Sequence, residues 1–180
     1  MRTLCIVKPF LKIGDEADLD EINALYNHYI LNSVATFDLT PHSLADRRPW
    51  FEQFENDSPH QLWVLREPKQ LLGFACSQPF RAKAGYEDTV ETSIYLVPSV
   101  LGRGLGPLLY QRLFDALDTS PVHSAIAMIT LPNRASLKLH ERMGFNSAGT
   151  LLEAGVKFKR RLSVQIMQRM APIAAANHLL

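Results

Sequence analysis

One stretch constrains this chain more than any other: Thr89 to Leu113, reading TVETSIYLVPSVLGRGLGPLLYQRL. Val90, Thr92, Ile94 and Leu96 alternate with Glu91, Ser93 and Tyr95, which is the two-residue period of a strand. Pro98 then opens a loop holding three glycines, and apolar residues at helical spacing follow. Gly102, Gly104 and Gly106 lack Cβ atoms, so their backbone can adopt positive φ and lie close to a ligand. The unpaired N–H groups at the start of the helix, reinforced by its dipole, suit phosphate oxygens. The stretch predicts a phosphate-bearing ligand; the alternative is a tight strand-to-helix turn that binds nothing.

What the loop lacks narrows the ligand. No Gly-Lys-Ser/Thr follows the glycines, so the lysine and the magnesium-binding hydroxyl of a P-loop are missing. The dinucleotide fingerprint G-x-G-x-x-G also fails, because the spacing is G-x-G-x-G and Pro107 stands where its third glycine would be.

At 180 residues the chain fits one domain spanning 1–180, enough to bury roughly two-thirds of its unfolded surface. Within it, residues 1–14 read as a first strand with an extension and residues 171–180 as a frayed tail. The formal charge is +1, from 19 basic and 18 acidic residues, so neither nucleic acid nor an anionic membrane is the expected partner. Two distant cysteines, Cys5 and Cys76, suit a reducing compartment, and the apolar run Leu4 to Val7 is too short for a signal peptide or a membrane span. A cytoplasmic protein is expected. His28, His42, His60 and His123 show no ligand spacing with cysteines or carboxylates, so no metal is expected.

In chain order, Leu4 to Ile13 reads as a strand, interrupted or held to a sheet edge by Pro9. Asp15 or Asp18 caps a helix carrying Leu19, Ile22, Leu25, Tyr26 and Tyr29 to about Leu31, and Ser43 opens a second helix to about Glu55. Gln61 to Arg66 and Leu71 to Ser77 form a hairpin, with Gly73 at a bulge. After the central stretch come a strand from Ser124 to Thr130, a helix from Asn133 stopped by Gly144, and strands at Phe145 to Glu153 and Leu162 to Met170. Tyr26, Tyr29, Trp50 and Phe54 are assigned to the core.

VPSVLGRGLGPLLY and LPNRASLKLHERMGF resemble the acetyl-CoA-binding core of the GNAT superfamily of N-acetyltransferases. ALYNHYILNSVATF and PFRAKAGYEDTVETSIYLVP bring the resemblance closer to the phosphinothricin and methionine sulfone acetyltransferase branch, over about residues 15 to 170. The resemblance implies an α/β fold: a mixed, mostly antiparallel sheet of about seven strands with about four helices, splayed at the acetyl-CoA site. It also implies a homodimer. The backbone of Ile94, Tyr95 and Leu96 would pair with the pantetheine arm as an added strand. The pyrophosphate would lie on the amides of Gly102, Arg103, Gly104, Leu105, Gly106 and Pro107, and Asn133 would reach the cofactor. Glu91 would be the general base. Leu101 departs from the Gln or Arg usual at the start of this loop, and His140 stands where many GNAT enzymes have a proton-donating tyrosine, as in the phosphinothricin branch.

The chemistry implied is transfer of an acetyl group to the α-amino group of a small amino acid or analogue. Glu91 would take the proton directly or through water, an N–H near Leu96 would stabilise the oxyanion, and His140 would donate to the thiolate or shape the site. Substrate contacts are expected from Arg81, Lys83, Ala84, Gly85 and Tyr86, where Arg81 can grip a carboxylate or phosphinate with both arms, and from Phe37. Each has a plainer alternative: Glu91 as a solvated carboxylate, His140 bonded to backbone, Asn133 as a helix cap, the loop cations as solvated charges, Phe37 in the core. A GNAT enzyme acting on a polyamine or protein N-terminus, or an acyl-CoA-binding module without catalysis, are the rival functions.

Overall fold

A computed structural model of the chain describes residues 8–54 and 58–172. Cys5, the run Leu4 to Val7, the expected end of the second helix at Glu55 and the tail beyond residue 172 lie outside the described residues.

The described elements are β1 (Phe10–Ile13), α1 (Leu19–Asn32), α2 (Leu44–Phe51), β2 (Leu62–Glu67), β3 (Gln70–Pro79), β4 (Thr89–Leu96), α3 (Leu105–Leu117), β5 (Ser124–Thr130), α4 (Arg134–Arg142), β6 (Asn146–Lys157) and β7 (Arg160–Met170). They form one seven-stranded sheet in the order β1-β2-β3-β4-β5-β7-β6. All neighbours are antiparallel except β4 and β5, which run parallel.

Local sequence explains most of these elements. The Asp15 carboxylate accepts from the Ala17 N–H while Asp18 accepts from the Asp15 N–H, a reciprocal box that starts the turn leading into α1. Asp18 is buried, where Arg66 of β2 (2.6 Å) and Lys12 of β1 (2.8 Å) neutralise it, so one carboxylate ties the first strand to the second. Ser43 and Asp46 make the same kind of box at the start of α2, which ends at Phe51. The register of β2 on β3 shifts so that Leu72, next to Gly73, is the extra residue.

Alternation along the strands separates two cores. Leu65, Leu72, Val90, Ile94 and Leu96 pack under α3 and α4 with Leu109, Leu113 and Phe114. On the other face, Val64, Phe74, Cys76 and Tyr95 meet Ile22 and Leu25 of α1 and the aromatic residues of α2. Tyr26, Tyr29, Trp50 and Phe54 belong to this second layer, partly buried rather than sealed within it.

The last hairpin is longer than the sequence indicates. β6 runs on to Lys157, and Phe158 and Lys159 turn the chain with φ of 50° and 60°. No Asn or Gly marks that turn, so its residues gave no signal. β7 then inserts between β5 and β6, which leaves β6 at the sheet edge.

Candidate active site

The site begins where the sheet comes apart. β4 and β5 pair only at Thr89–Ser124, Val90–Ala125 and Glu91–Ile126, and beyond those pairs they diverge. Val97 N–H donates to Leu72 O on the β3 side. By alternation, the N–H groups of Ile94 and Leu96 point into the gap. The gap opens into a cleft of about 620 Å³ between β4, β5, α3 and α4.

All the residues expected to hold the cofactor line this cleft except Arg103: Ile94, Tyr95 and Leu96 on one wall, Gly102, Gly104, Leu105, Gly106 and Pro107 at the loop, and Asn133 opposite. Gly102 and Gly104 have φ of 78° and 76°, and a Cβ at either would meet no other atom within 4 Å. Both conformation and open space therefore leave the backbone accessible there. Gly104 caps α3 with no side chain satisfying the first-turn N–H groups. One expectation needs correction: Pro107 lines the cleft but has no N–H, so of this loop only the preceding amides are able to donate. The helix start without a side-chain cap and the unobstructed glycines fit a diphosphate.

Asn133 caps α4, its Oδ1 accepting from the Ser136 N–H at 3.1 Å. Its Nδ2 makes no hydrogen bond among the described residues, so the cap leaves a donor for the cleft. Lys138 and Arg142, one helical turn apart on α4, are the charged residues lining the cleft, and no acid faces them there. Sequence reasoning passed over these two; their i, i+4 spacing from each other on the helix that Asn133 caps is the signal that could have found them. It also missed Tyr29, whose hydroxyl donates to Leu96 O at 2.7 Å and so occupies the last gap-facing carbonyl of β4.

Glu91 sits at the vertex, paired with Gln78 on one side and with Ile126 in the last parallel pair on the other. Its side chain lies on the α1 and α2 face, opposite to Thr92. The carboxyl is half-buried, and burial raises its pKa above the usual carboxylate range, while the Arg81 charge acts in the opposite direction. The structure thus brings Arg81 within electrostatic reach of Glu91, with its guanidinium 4.8 Å from the Phe80 ring. Lys83, Ala84, Gly85 and Tyr86 are exposed on a short turn, where Tyr86 stands edge-on to Phe80 at 5.6 Å.

Phe37 is half-buried and does not line the cleft; its ring lies against Gly155 of β6, where a Cβ would come within 2.4 Å. Lys157 donates to Thr36 O at 2.7 Å and fastens the same loop to the hairpin. His140 reaches the cleft wall from α4, with Tyr110 Oη 3.0 Å from Nε2 and Ser136 O 2.8 Å from Nδ1. Cys76 is buried and its thiol is pushed up to about 12 by desolvation, so it is no nucleophile. No group of three metal-ligating side chains gathers among the described residues, and none of their helices is long and apolar enough to cross a membrane.

The chain is similar to known acetyltransferases. Residues 22–145 match the acetyltransferase (GNAT) family. Phosphinothricin N-acetyltransferase of Streptomyces coelicolor is 44% identical over 158 residues, covering 87% of this chain and 92% of that protein. The L-methionine sulfoximine/L-methionine sulfone acetyltransferase of Pseudomonas aeruginosa is 35% identical over 152 residues, covering 84% and 88%. Among solved structures, an acetyltransferase of Salmonella typhimurium with its cofactor acetyl-CoA superposes with a TM-score of 0.88 at 30% identity, covering 96% of this chain and 99% of that one. The fold, the cleft and these similarities together place the chain in the GNAT family of acetyltransferases, as an N-acetyltransferase with acetyl-CoA as its co-substrate.

Proposed function

We propose that this protein acetylates the α-amino group of a small amino acid analogue of the phosphinothricin or methionine sulfone type, with Glu91 as general base. The observation that carries the reading is the position of Glu91: a half-buried carboxyl at the vertex where β4 leaves β5, next to the cleft and facing away from it. The names of the relatives support the substrate class.

Bound acetyl-CoA supplies a thioester carbonyl and a thiolate leaving group. The protein's residues do the rest. The amides at the start of α3 hold the diphosphate, and the gap-facing edge of β4 holds the pantetheine arm. An α-amino group has a pKa of about 8, so part of it is already neutral at pH 7 and the remainder must lose a proton. Glu91 accepts that proton as the C–N bond forms and the C–S bond breaks; a raised pKa brings it closer to that task than an ordinary carboxylate. A gap-facing N–H of Ile94 or Leu96 donates to the carbonyl oxygen as charge gathers on it. Arg81 attracts the acceptor's carboxylate or phosphinate towards the vertex. The buried Cys76 thiol, pushed up to about 12, fits direct transfer without a covalent enzyme intermediate. A homodimer in the cytoplasm completes the proposal, and sedimentation of the purified protein tests the oligomeric state.

The experiment is thiol release from acetyl-CoA with phosphinothricin, methionine sulfone, methionine sulfoximine, spermidine and a short peptide as separate acceptors. Fast turnover with the first three, lost in Glu91→Gln while acetyl-CoA binding is kept, is the expected result. Turnover with spermidine or peptide alone would discard the substrate class. Undiminished turnover in Glu91→Gln would discard the base.

A further inference from the structure

Three elements that wall the cleft meet at one hydroxyl. Thr92 of β4 is the first residue past the last β4–β5 pair, and its Oγ1 lies 2.7 Å from Tyr110 Oη of α3. Tyr110 Oη lies 3.0 Å from His140 Nε2 of α4. Tyr110 is 0% exposed, His140 3% and Thr92 4%, so no solvent shares these bonds.

The protons along this chain can be placed. A carbonyl only accepts, so His140 Nδ1, 2.8 Å from Ser136 O, carries the imidazole proton. Nε2 is then the acceptor, and Tyr110 donates to it. The Tyr110 oxygen in turn accepts from Thr92, whose other available acceptor, Ile126 O, is farther away at 3.3 Å. Both ring nitrogens of His140 are thereby used inside the protein, and the ring meets the cleft through its carbon edge. Phe145 stands 5.0 Å from the His140 ring at 77° and holds its plane. Among the groups packed against this cluster, Arg169 of β7 lies over Phe114 and is paired with Asp118, the Cys76 thiol acts on Tyr110 from the sheet side, and Lys138 and Arg142 of α4 line the same cleft as His140.

We infer that Tyr110 is a positioning residue: its hydroxyl joins β4 to α4 and sets the opening of the acetyl-CoA cleft, holding His140 as a neutral structural ring rather than as the proton donor to the thiolate. The physical reason lies in the divergence of the strands. Past Glu91 and Ile126 no ladder bond joins β4 to β5. The angle at which β4 departs is therefore set by side chains, and Thr92 is where the first of them acts. Thr92 and His140 both face the cleft, so a change in the length of this chain moves both walls.

The inference rests on the acetyltransferase reading of the cleft, and calorimetric binding of CoA to the wild-type protein tests that reading by itself: no binding would overturn both. With binding established, Tyr110→Phe is expected to weaken CoA binding about tenfold and to raise the KM for acetyl-CoA alike, while kcat at saturation falls less than about threefold. Adding Thr92→Val removes the hydroxyl left with only its longer bond to Ile126 O, while His140 Nε2 stays unpaired, and should recover part of the thermal midpoint without recovering CoA affinity, because an apolar pair refills the space but does not rebuild the link. A merely structural role would restore both, and that outcome overturns the proposal. Independently, the ¹⁵N shifts of His140 in the ligand-free protein should report a neutral Nδ1–H ring throughout the pH range of turnover. A ring that takes up a proton within that range, or a His140→Gln variant that loses kcat while keeping its CoA affinity, would return His140 to the role of proton donor.

Discussion

Gly73→Ala is a one-methyl perturbation whose cost can be worked from the structure. A Cβ on Gly73 would lie 2.5 Å from Leu96 Cδ2, 2.6 Å from Tyr95 O and 3.2 Å from Leu96 Cα. Ordinary contact begins near ~3.5 Å. The Leu96 methyl can rotate aside, but the carbonyl and Cα belong to the backbone of β4, so the strand must retreat by most of an ångström. Overpacking of this kind costs about 1–3 kcal/mol. The stiffer unfolded chain returns about 0.4–1 kcal/mol, since Gly73 does not use the left-handed region. A net loss of about 1–2 kcal/mol corresponds to roughly 2–8 °C in the thermal midpoint of a protein this size. Because Leu96 also lines the cleft, the same shift should weaken acetyl-CoA binding several-fold. Differential scanning calorimetry and isothermal titration with CoA measure the two effects. Gly85→Ala is the control for stability, with no atom within 4 Å of its new methyl. A Gly73→Ala protein that melts with the wild type and binds CoA equally well would refute the reasoning.

Burial favours the protonated form of Glu91 in the folded protein, so its contribution to stability is complete below the unfolded carboxylate pKa and declines as pH rises through the folded value. Glu91→Gln should therefore melt above the wild type at pH 8, with the gap closing as the pH falls towards 4; urea titrations at several pH values check this. Arg81 acts against that shift, so Arg81→Gln should move the acidic limb of the kcat/KM profile to higher pH, and an unmoved limb would separate Arg81 from the base. Cys76, buried with its thiol pushed up to about 12, should resist iodoacetamide in the native protein and react in urea, as mass spectrometry would show.

Features written in local signals were legible in the sequence. The alternation of Val90 to Leu96, the caps at Asp15 and Ser43 and the glycines before α3 each act over a few residues, and each lies where it was expected. The hairpin turn was not legible, because Phe158 and Lys159 hold positive φ through their place in the long β6–β7 pairing rather than through residue preference. The insertion of β7 between β5 and β6 is a long-range choice with no local mark. At the site, the glycine loop and Asn133 marked residues that line the cleft. Tyr110 did not, since it falls on the apolar stripe of α3 and its hydroxyl counts only once Thr92 and His140 are beside it. Phe37 was read both ways, and its contact with Gly155 favours packing.

The parting of β4 from β5 also bears on solubility. Two strand edges with unpaired N–H and C=O groups normally invite another chain to pair with them. Here those edges face each other inside the molecule, with α3 and α4 on one side and Tyr29 with the Ser33–Ala35 loop on the other. A polypeptide strand entering the gap would project side chains towards both of those sides at every second residue and would not fit. A thin arm bearing amides but no side chains can enter. The gap proposed to take the pantetheine arm thus also keeps the inward-facing edges of β4 and β5 away from other copies of the protein.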